Sequence, residues 1–187
     1  MDFKNDLKAY SEELSECLKR TDWGILSSIG EKLVSSKASG SRVWLFGNGG
    51  SAATASHVTN DLVKGCRVED RVGFPAMCLS DSSTVLTCLA NDFSYADVYA
   101  VLLSTHAKPG DIAIAFSGSG NSPNVVNGLA KAREMGLTTI GFGGRDGGKM
   151  KEHCDLILIA PTQSMEMLED LHLIYWHNLV CAMRKVL

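Results

Sequence analysis

The sequence predicts an α/β fold: a doubly wound parallel sheet of five strands flanked by helices. The prediction rests on five short apolar runs, each separated from the next by a segment with helical periodicity. Such runs are typical of strands covered on both faces, and several of them end in turns of glycine and serine. The expected strands span residues 43–46, 76–79, 112–116, 138–142 and 156–160.

The first 38 residues are predicted to form a helical hairpin. Apolar residues recur at helical spacing from Phe3 to Ser36, with a break at Thr21–Asp22 that can cap a second helix. Apolar helix faces of this kind either cover a sheet or build interfaces in symmetric oligomers, and we expect this hairpin to contribute to an oligomer interface. The last predicted helix runs from about Ser164 to Val186.

Composition narrows the class of protein. A chain of 187 residues that is 45% hydrophobic is expected to form one domain over residues 1–187. The net charge is −3 without a long basic run, so nucleic acid is not an expected ligand. Six scattered cysteines without CxxC spacing are typical of a reducing compartment. Without a signal-peptide pattern or a long apolar run, we expect a cytoplasmic protein without membrane contact.

Two glycine-rich turns follow predicted strands and precede predicted helices. The first, Gly47–Ala53, offers free amides and a helix N-terminus that favour an anion. It has neither the GxGxxG nor the GxxxxGK[ST] spacing of a nucleotide site, and tight-turn chemistry alone would also explain its glycines. The second, Ser117–Pro123, combines three serines with a proline suited to the first turn of a helix. Hydroxyls and amides there can hold a phosphate dianion without a lysine.

A third glycine-rich turn, Gly141–Gly148, follows the next predicted strand. Its glycines permit either the close approach of a ligand or simply a sharp loop, and the pattern does not decide between these explanations.

Two helices carry polar residues at spacings that place them on one face. His57 and Asp61 lie four residues apart after the first turn, so both project from the same side of their helix. In the last helix, Glu166, Glu169 and His177 fall within roughly 80° of one another around the axis. Spacing alone also fits ordinary hydrogen-bonded or solvated helix surfaces.

Taken together, these motifs resemble the phosphoheptose isomerases (sedoheptulose 7-phosphate isomerases) of the SIS superfamily over roughly residues 40–185. The resemblance implies an SIS-type sheet, a homotetramer with sites at subunit boundaries, and a phosphorylated sugar as substrate. It also implies conversion of sedoheptulose 7-phosphate to D-glycero-D-manno-heptose 7-phosphate, the first step toward activated heptose for surface glycans. The alternative is a non-catalytic SIS module that senses a sugar phosphate or binds another protein. The resemblance rests on Gly47–Ala53 with His57, Ala90–Asp92, Gly110–Asp111, Ser117–Ser122 and Gly147–Gly148.

The resemblance also implies roles for individual residues. Asp61 matches the catalytic glutamate and His177 the catalytic histidine, while Glu169 stands where the family usually has a neutral glutamine. Both carboxylates are departures from the family pattern. The expected ligands of one zinc ion per site, an ion suited to imidazole and carboxylate donors, are His57, Asp61, Glu169 and His177. The expected substrate-binding residues are Asn48, Gly49, Gly50, Ser51, Asp92, Ser117, Gly118, Ser119, Ser122, Glu166 and Glu169.

Overall fold

The computed structural model describes residues 2–187, which contain seven α-helices and five β-strands. Asp61–Gly65 continues the third helix as a π-helical turn, and Tyr95–Asp97 and Lys149–His153 form 3₁₀ turns. The helices are α1 (Phe3–Lys19), α2 (Trp23–Ala38), α3 (Gly50–Asn60), α4 (Ser83–Asp92), α5 (Val98–His106), α6 (Pro123–Glu134) and α7 (Met165–Met183). The strands are β1 (Val43–Gly47), β2 (Ala76–Cys78), β3 (Ile112–Ser117), β4 (Thr138–Gly144) and β5 (Leu156–Ala160).

The strands form one parallel sheet in the order β2-β1-β3-β4-β5, which confirms the predicted doubly wound architecture. Each strand lies within two residues of its predicted bounds; β2 ends at Cys78 instead of Leu79, and β4 extends to Gly144. From β1 the chain moves outward to β2 and then crosses back to β3 on the other side of β1. The turns that follow β1 and β3 therefore meet at a reversal of strand order, where open α/β sheets bind ligands.

Both faces of the sheet are buried, because successive strand residues alternate between two hydrophobic cores. In β1, Val43 and Leu45 belong to the core beneath α2, α3 and α7. Trp44 and Phe46 belong to the opposite core, beneath α5 and α6. Complete burial of a side chain such as Phe46 contributes about 2–3 kcal/mol.

The two N-terminal helices form as predicted, and their boundary has a clear local cause. Asp22 is the N-cap of α2, and its carboxylate accepts a hydrogen bond of 3.0 Å from the Ile25 backbone N–H. Helix α2 packs three apolar side chains, Leu26, Ile29 and Leu33, into the core, whereas α1 buries Cys17. Helix α1 is therefore largely an outer layer. Among the described residues, no helix combines the length and apolarity needed to span a membrane.

One histidine is part of the core. The His172 side chain on α7 is fully buried, and its Nε2 donates a hydrogen bond to the Gly143 carbonyl at 3.0 Å. Its ring packs against those of Phe116 and Phe142. Burial opposes the charged form and lowers the pKa of His172 to about 4.

This burial makes the stability of the fold dependent on pH. Above the ordinary histidine pKa of 6.5 the ring is neutral in both the folded and unfolded chain, so its contribution is fully present. As the pH falls from 6.5 to about 4, the His172 ring binds a proton in the unfolded chain but stays neutral in the folded chain. The free energy of unfolding should fall by about 3 kcal/mol over this interval. We expect NMR to show an uncharged His172 ring throughout the upper part of the interval; a titration midpoint near 6.5 would contradict this assignment.

Candidate active site

A polar pocket opens where the carboxyl ends of β1 and β3 lie side by side. Gly47, the last residue of β1, is paired with Phe116 in β3. The pocket lies between the two following turns and the start of α7, and its volume is about 140 Å³. Its lining residues are Asn48, Ser51, Phe116, Ser117, Gly118, Ser119, Ser122, Met165 and Glu169.

The first turn depends on two glycines to start α3 at the edge of the sheet. A Cβ atom on Gly47 would lie 2.8 Å from the Ser51 backbone and 2.9 Å from the Phe116 carbonyl oxygen. Gly49 is the N-cap of α3 with a φ of 55°, and it offers no side-chain acceptor to the first helical turn. The N-terminus of α3 thus faces the pocket without a cap of its own, an arrangement that favours an anion.

The three serine hydroxyls of the second turn differ in their hydrogen bonds. The Ser117 hydroxyl accepts a hydrogen bond from the Gly120 N–H at 3.1 Å, and the Ser119 hydroxyl accepts one from the Asn121 N–H at 3.2 Å. Ser122 is the N-cap of α6, yet among the described residues its hydroxyl makes no capping hydrogen bond. The Val125 N–H is shared between the Ser122 carbonyl and the Asn124 side-chain oxygen, each at 3.0 Å. The Ser122 hydroxyl thus lines the pocket without serving its helix.

The third turn and the 3₁₀ turn Lys149–His153 that follows it support the second turn. The Met150 N–H donates to the Gly120 carbonyl at 2.9 Å, and the Lys149 N–H donates to the Asn121 side chain at 3.1 Å. A Cβ atom on Gly148 would lie 2.5 Å from the Ser119 carbonyl oxygen. The glycines therefore allow one loop to press against the other. No residue of the third turn is among those that line the pocket in the described chain.

A second cluster of polar side chains joins α3, its π-helical extension and α7. The Nε2 atoms of His57 and His177 are 3.0 Å apart. The Asp61 Oδ2 lies 3.4 Å from the His57 Nε2 and 3.6 Å from the His177 Nε2. The histidine side chains are about half exposed, whereas that of Asp61 is 16% exposed. The prediction that His57 and Asp61 share a face is confirmed, and α7 adds His177 to it.

The cluster has the donor groups of a candidate metal site. Asp61 Oδ2 is buried and has no hydrogen-bond partner among the described residues, which would leave a charged oxygen unsatisfied in the protein alone. Two imidazoles and a carboxylate are common zinc ligands, and donors at about 2.0–2.1 Å from a tetrahedral ion are roughly 3.3 Å from one another. The three donor atoms are separated by 3.0–3.6 Å, so they fit such an ion.

The structure places the other predicted residues in different locations. Glu169 is not part of this cluster; it lines the pocket, and its carboxylate occupies the space that a Cβ atom on Gly50 would need. Glu166 and Asp92 lie outside the pocket, on the surface of the described chain. Glu166 accepts a hydrogen bond from the Ser164 hydroxyl at 2.9 Å, and its own backbone N–H and this hydroxyl lower its pKa. The predicted residues that do line the pocket are Asn48, Ser51, Ser117, Gly118, Ser119, Ser122 and Glu169.

Sequence analysis missed four residues in or beside the pocket. Phe116 and Met165 line it, and the Met165 sulfur lies where a side chain on Gly118 would extend. Asn124 and Tyr95 bond to the side chain of Asn48. Asn124 follows Pro123 in the second motif, a position that could have drawn attention, whereas nothing in the sequence around Tyr95 indicates its partner.

Comparison with known proteins identifies the family. Residues 7–144 match the family model described as SIS domain. A phosphoheptose isomerase of Paramagnetospirillum magneticum is 42% identical over 146 residues, which are 78% of this chain and 76% of that protein. The chain belongs to the phosphoheptose isomerase family of SIS-domain proteins. A second family member, from Rhodospirillum rubrum, is 33% identical over 183 residues and is matched over 96% of both chains.

Solved structures of the family have the same fold. A phosphoheptose isomerase from Francisella tularensis superposes with a TM-score of 0.91 at 21% identity, covering 99% of this chain and 100% of that one. Its counterpart from Neisseria gonorrhoeae has a TM-score of 0.88 at 22% identity, covering 96% and 97%. These comparisons confirm the SIS-type fold predicted from the sequence.

The contact between the second and third turns can be tested with Gly148→Ala. Both Gly148 and Gly40 have positive φ, but a Cβ atom on Gly40 would meet no atom of the described chain within 4 Å. Either alanine should cost about 1 kcal/mol in unfolding free energy because of backbone strain. Gly148→Ala should in addition displace Ser119 and weaken binding of inorganic phosphate about tenfold, measured by titration calorimetry. Equal phosphate affinities of the Gly148→Ala and Gly40→Ala variants would contradict the supporting role of the third turn.

Proposed function

We propose that the protein is an aldose–ketose isomerase that converts sedoheptulose 7-phosphate to D-glycero-D-manno-heptose 7-phosphate. This reaction would be the first step toward activated heptose for surface glycans. The observation that carries the proposal is that two helices connect the serine-lined pocket with the cluster of His57, Asp61 and His177. Relatives in the same family are named phosphoheptose isomerases, which also supports the proposal.

The two helices set a distance that suits a phosphorylated sugar. Helix α3 carries Ser51 in the pocket and His57 in the cluster, six positions apart. Helix α7 carries Glu169 in the pocket and His177 in the cluster, eight positions apart. At 1.5 Å per residue these separations are about 9 and 12 Å along the helix axes. An extended seven-carbon chain with bonds of about 1.5 Å has a length of the same order.

The pocket is suited to the phosphate end. Ser117, Ser119 and Ser122 supply hydroxyls, and the N-terminus of α6 supplies a positive potential. No lysine or arginine is among the residues lining the described pocket, so hydroxyls and helix amides would carry the recognition. Asn48, Ser51 and Glu169 would then contact the sugar. Asp92 does not line the pocket of this chain, so it would contact the sugar only beyond the residues that line the pocket.

The cluster is suited to the proton transfer. Isomerisation moves a proton between adjacent carbons through an enediol, which requires a base near carbon, an acid near oxygen and stabilisation of oxyanion charge. We assign Asp61 as the base and His177 as the acid. Although aspartate is one methylene shorter than glutamate, the Asp61 Oδ2 still lies within 3.6 Å of both imidazoles.

A zinc ion, one per site, would be held by His57 Nε2, Asp61 Oδ2 and His177 Nε2. With zinc bound, the second carboxylate oxygen of Asp61 would act as the base and the Nδ1–H of His177 as the acid. When bound, it would polarise the sugar oxygens on which negative charge develops. The buried Asp61 oxygen, which has no hydrogen-bond partner in the described part of the chain, supports this assignment. The pocket position of Glu169 favours sugar contact over metal ligation for that residue.

We also propose that residues 1–187 act as one SIS domain in a cytoplasmic homotetramer, with the helical hairpin at a subunit interface. An apolar groove of about 410 Å³ between α2 and α7 supports the interface, as does the 68% exposure of Phe3 and the 47% exposure of Trp23. The free state of all six cysteines agrees with a reducing compartment.

Light scattering should give four times the mass of the chain; the mass of a single chain would contradict the assembly.

Asp61→Asn tests the catalytic assignment with little change in shape. We expect turnover of sedoheptulose 7-phosphate to fall roughly a thousandfold, because the base loses its proton affinity, and zinc content to fall with it. The matched control is Asp170→Asn on α7, whose carboxylate accepts a hydrogen bond from the Tyr10 hydroxyl away from the cluster. Unchanged turnover in Asp61→Asn would contradict the assignment. A wild-type chain that binds the sugar phosphate without turning it over would instead support the sensor function.

A further inference from the structure

Asn48 is held from several sides by side chains that the proposed chemistry does not use. Its Nδ2 donates to the Asn124 Oδ1 at 2.9 Å, and its Oδ1 accepts from the Asn124 Nδ2 at 2.9 Å. The Tyr95 hydroxyl also donates to the Asn48 Oδ1, at 2.9 Å. Asn124 is 1% exposed, whereas Tyr95 is 54% exposed. A buried amide and a surface phenol therefore act on one pocket residue.

The orientation of both amides is determined by the backbone. A reciprocal amide pair would keep its hydrogen bonds if both side chains were flipped together, so the pair alone does not set a direction. The Val125 N–H breaks this symmetry. It is shared between the Ser122 carbonyl and the Asn124 Oδ1, each at 3.0 Å, and a flipped Asn124 would place an N–H donor against another donor. The Asn124 oxygen is thereby placed next to the Asn48 nitrogen. The Asn48 oxygen must then face the Asn124 nitrogen and the Tyr95 hydroxyl.

One N–H of the Asn48 amide remains available once its hydrogen bonds within the described chain are counted. An amide oxygen accepts two hydrogen bonds, and Asn124 and Tyr95 supply two donors to it. The Tyr99 hydroxyl lies 3.2 Å from the same oxygen but donates at shorter range to the Gly47 carbonyl. An amide nitrogen has two N–H groups, and one is used by Asn124. Among the described residues the second N–H has no partner, while Asn48 lines the pocket.

We propose that Asn124 and Tyr95 are positioning residues that hold the Asn48 amide so that it presents one N–H donor, and no acceptor, to the bound ligand. The group recognised is an acceptor oxygen of a phosphorylated sugar, either a phosphoryl oxygen or a sugar oxygen. The inference rests on the proposed function for the identity of the ligand. The N–H donor of Asn48 gives its side of the pocket a preference for acceptor atoms of the ligand over donor atoms. The serine hydroxyls can both donate and accept, so they do not provide this preference.

Two variants test the proposal through binding, which does not require turnover. Asn124→Asp keeps the shape and the acceptor for Val125, but it puts a second oxygen against the Asn48 Oδ1. Its Kd for sedoheptulose 7-phosphate should rise at least about tenfold in titration calorimetry. Tyr95→Phe removes one donor at an exposed position where water can replace it, and its Kd should rise about threefold.

A double-variant cycle separates positioning from general stability. In an Asn48→Ala background, Tyr95→Phe should have no further effect on the Kd, because Tyr95 acts through Asn48. Tyr10→Phe is the matched control: it removes another tyrosine hydroxyl, one bonded to Asp170, and should leave the Kd unchanged. An unchanged Kd in both Asn124→Asp and Tyr95→Phe would overturn the proposal, as would an equal effect of Tyr95→Phe with and without Asn48.

Inorganic phosphate distinguishes the two sources of the acceptor oxygen. If Asn48 contacts the phosphoryl group, both variants should weaken inorganic phosphate binding in the same proportion as sugar phosphate binding. If it contacts a sugar oxygen, only sugar phosphate binding should weaken. Absence of sedoheptulose 7-phosphate turnover by the wild-type chain would contradict the proposed function, and the phosphate and sugar phosphate titrations would still decide whether Asn124 and Tyr95 position Asn48.

Discussion

The return of the chain from β2 past β1 to β3 is the constraint on which the candidate site depends. It makes β1 and β3 neighbours, so that Gly47 and Phe116 are paired at the carboxyl edge of the sheet. The two following turns then converge, and each begins a helix whose N-terminus faces the same crevice. Glycine is needed at position 47 because a Cβ atom there would collide with the Ser51 backbone at the start of α3 and with the Phe116 carbonyl oxygen of β3. The anion-binding character of the pocket thus originates in backbone topology before any side chain is considered.

Helices α3 and α7 extend this site from the pocket to the His57–Asp61–His177 cluster. Helix α7 is anchored in the core by residues such as His172 and Trp176, which are both fully buried. Its register relative to α3 is therefore set by packing, and that register brings His177 to the end of α3. Within residues 2–187 the buried Asp61 oxygen has no hydrogen-bond partner, so the cluster is not optimised as a set of internal hydrogen bonds, a state expected of a ligand-binding group.

The fold and the residues of the turns could be predicted because they depend on local patterns. Apolar runs marked all five strands, and the serines and glycines after two of them marked the pocket. The network around Asn48 could not be predicted, because Tyr95 reaches it across 47 positions of sequence and the turn that carries Tyr95 is placed by tertiary packing against α4, α5 and α6. The location of Glu169 was open for a similar reason: helical spacing grouped it with His177, but the two are eight residues apart on α7 and reach different parts of the site.

A crystal structure with sedoheptulose 7-phosphate and zinc would test most directly whether the pocket and the cluster are two ends of one site. We expect the phosphate within hydrogen-bond distance of Ser117, Ser119 and Ser122, zinc on His57, Asp61 and His177, and the first two sugar carbons beside the cluster. A phosphate bound away from the second turn, or a sugar chain directed away from Asp61, would contradict this account.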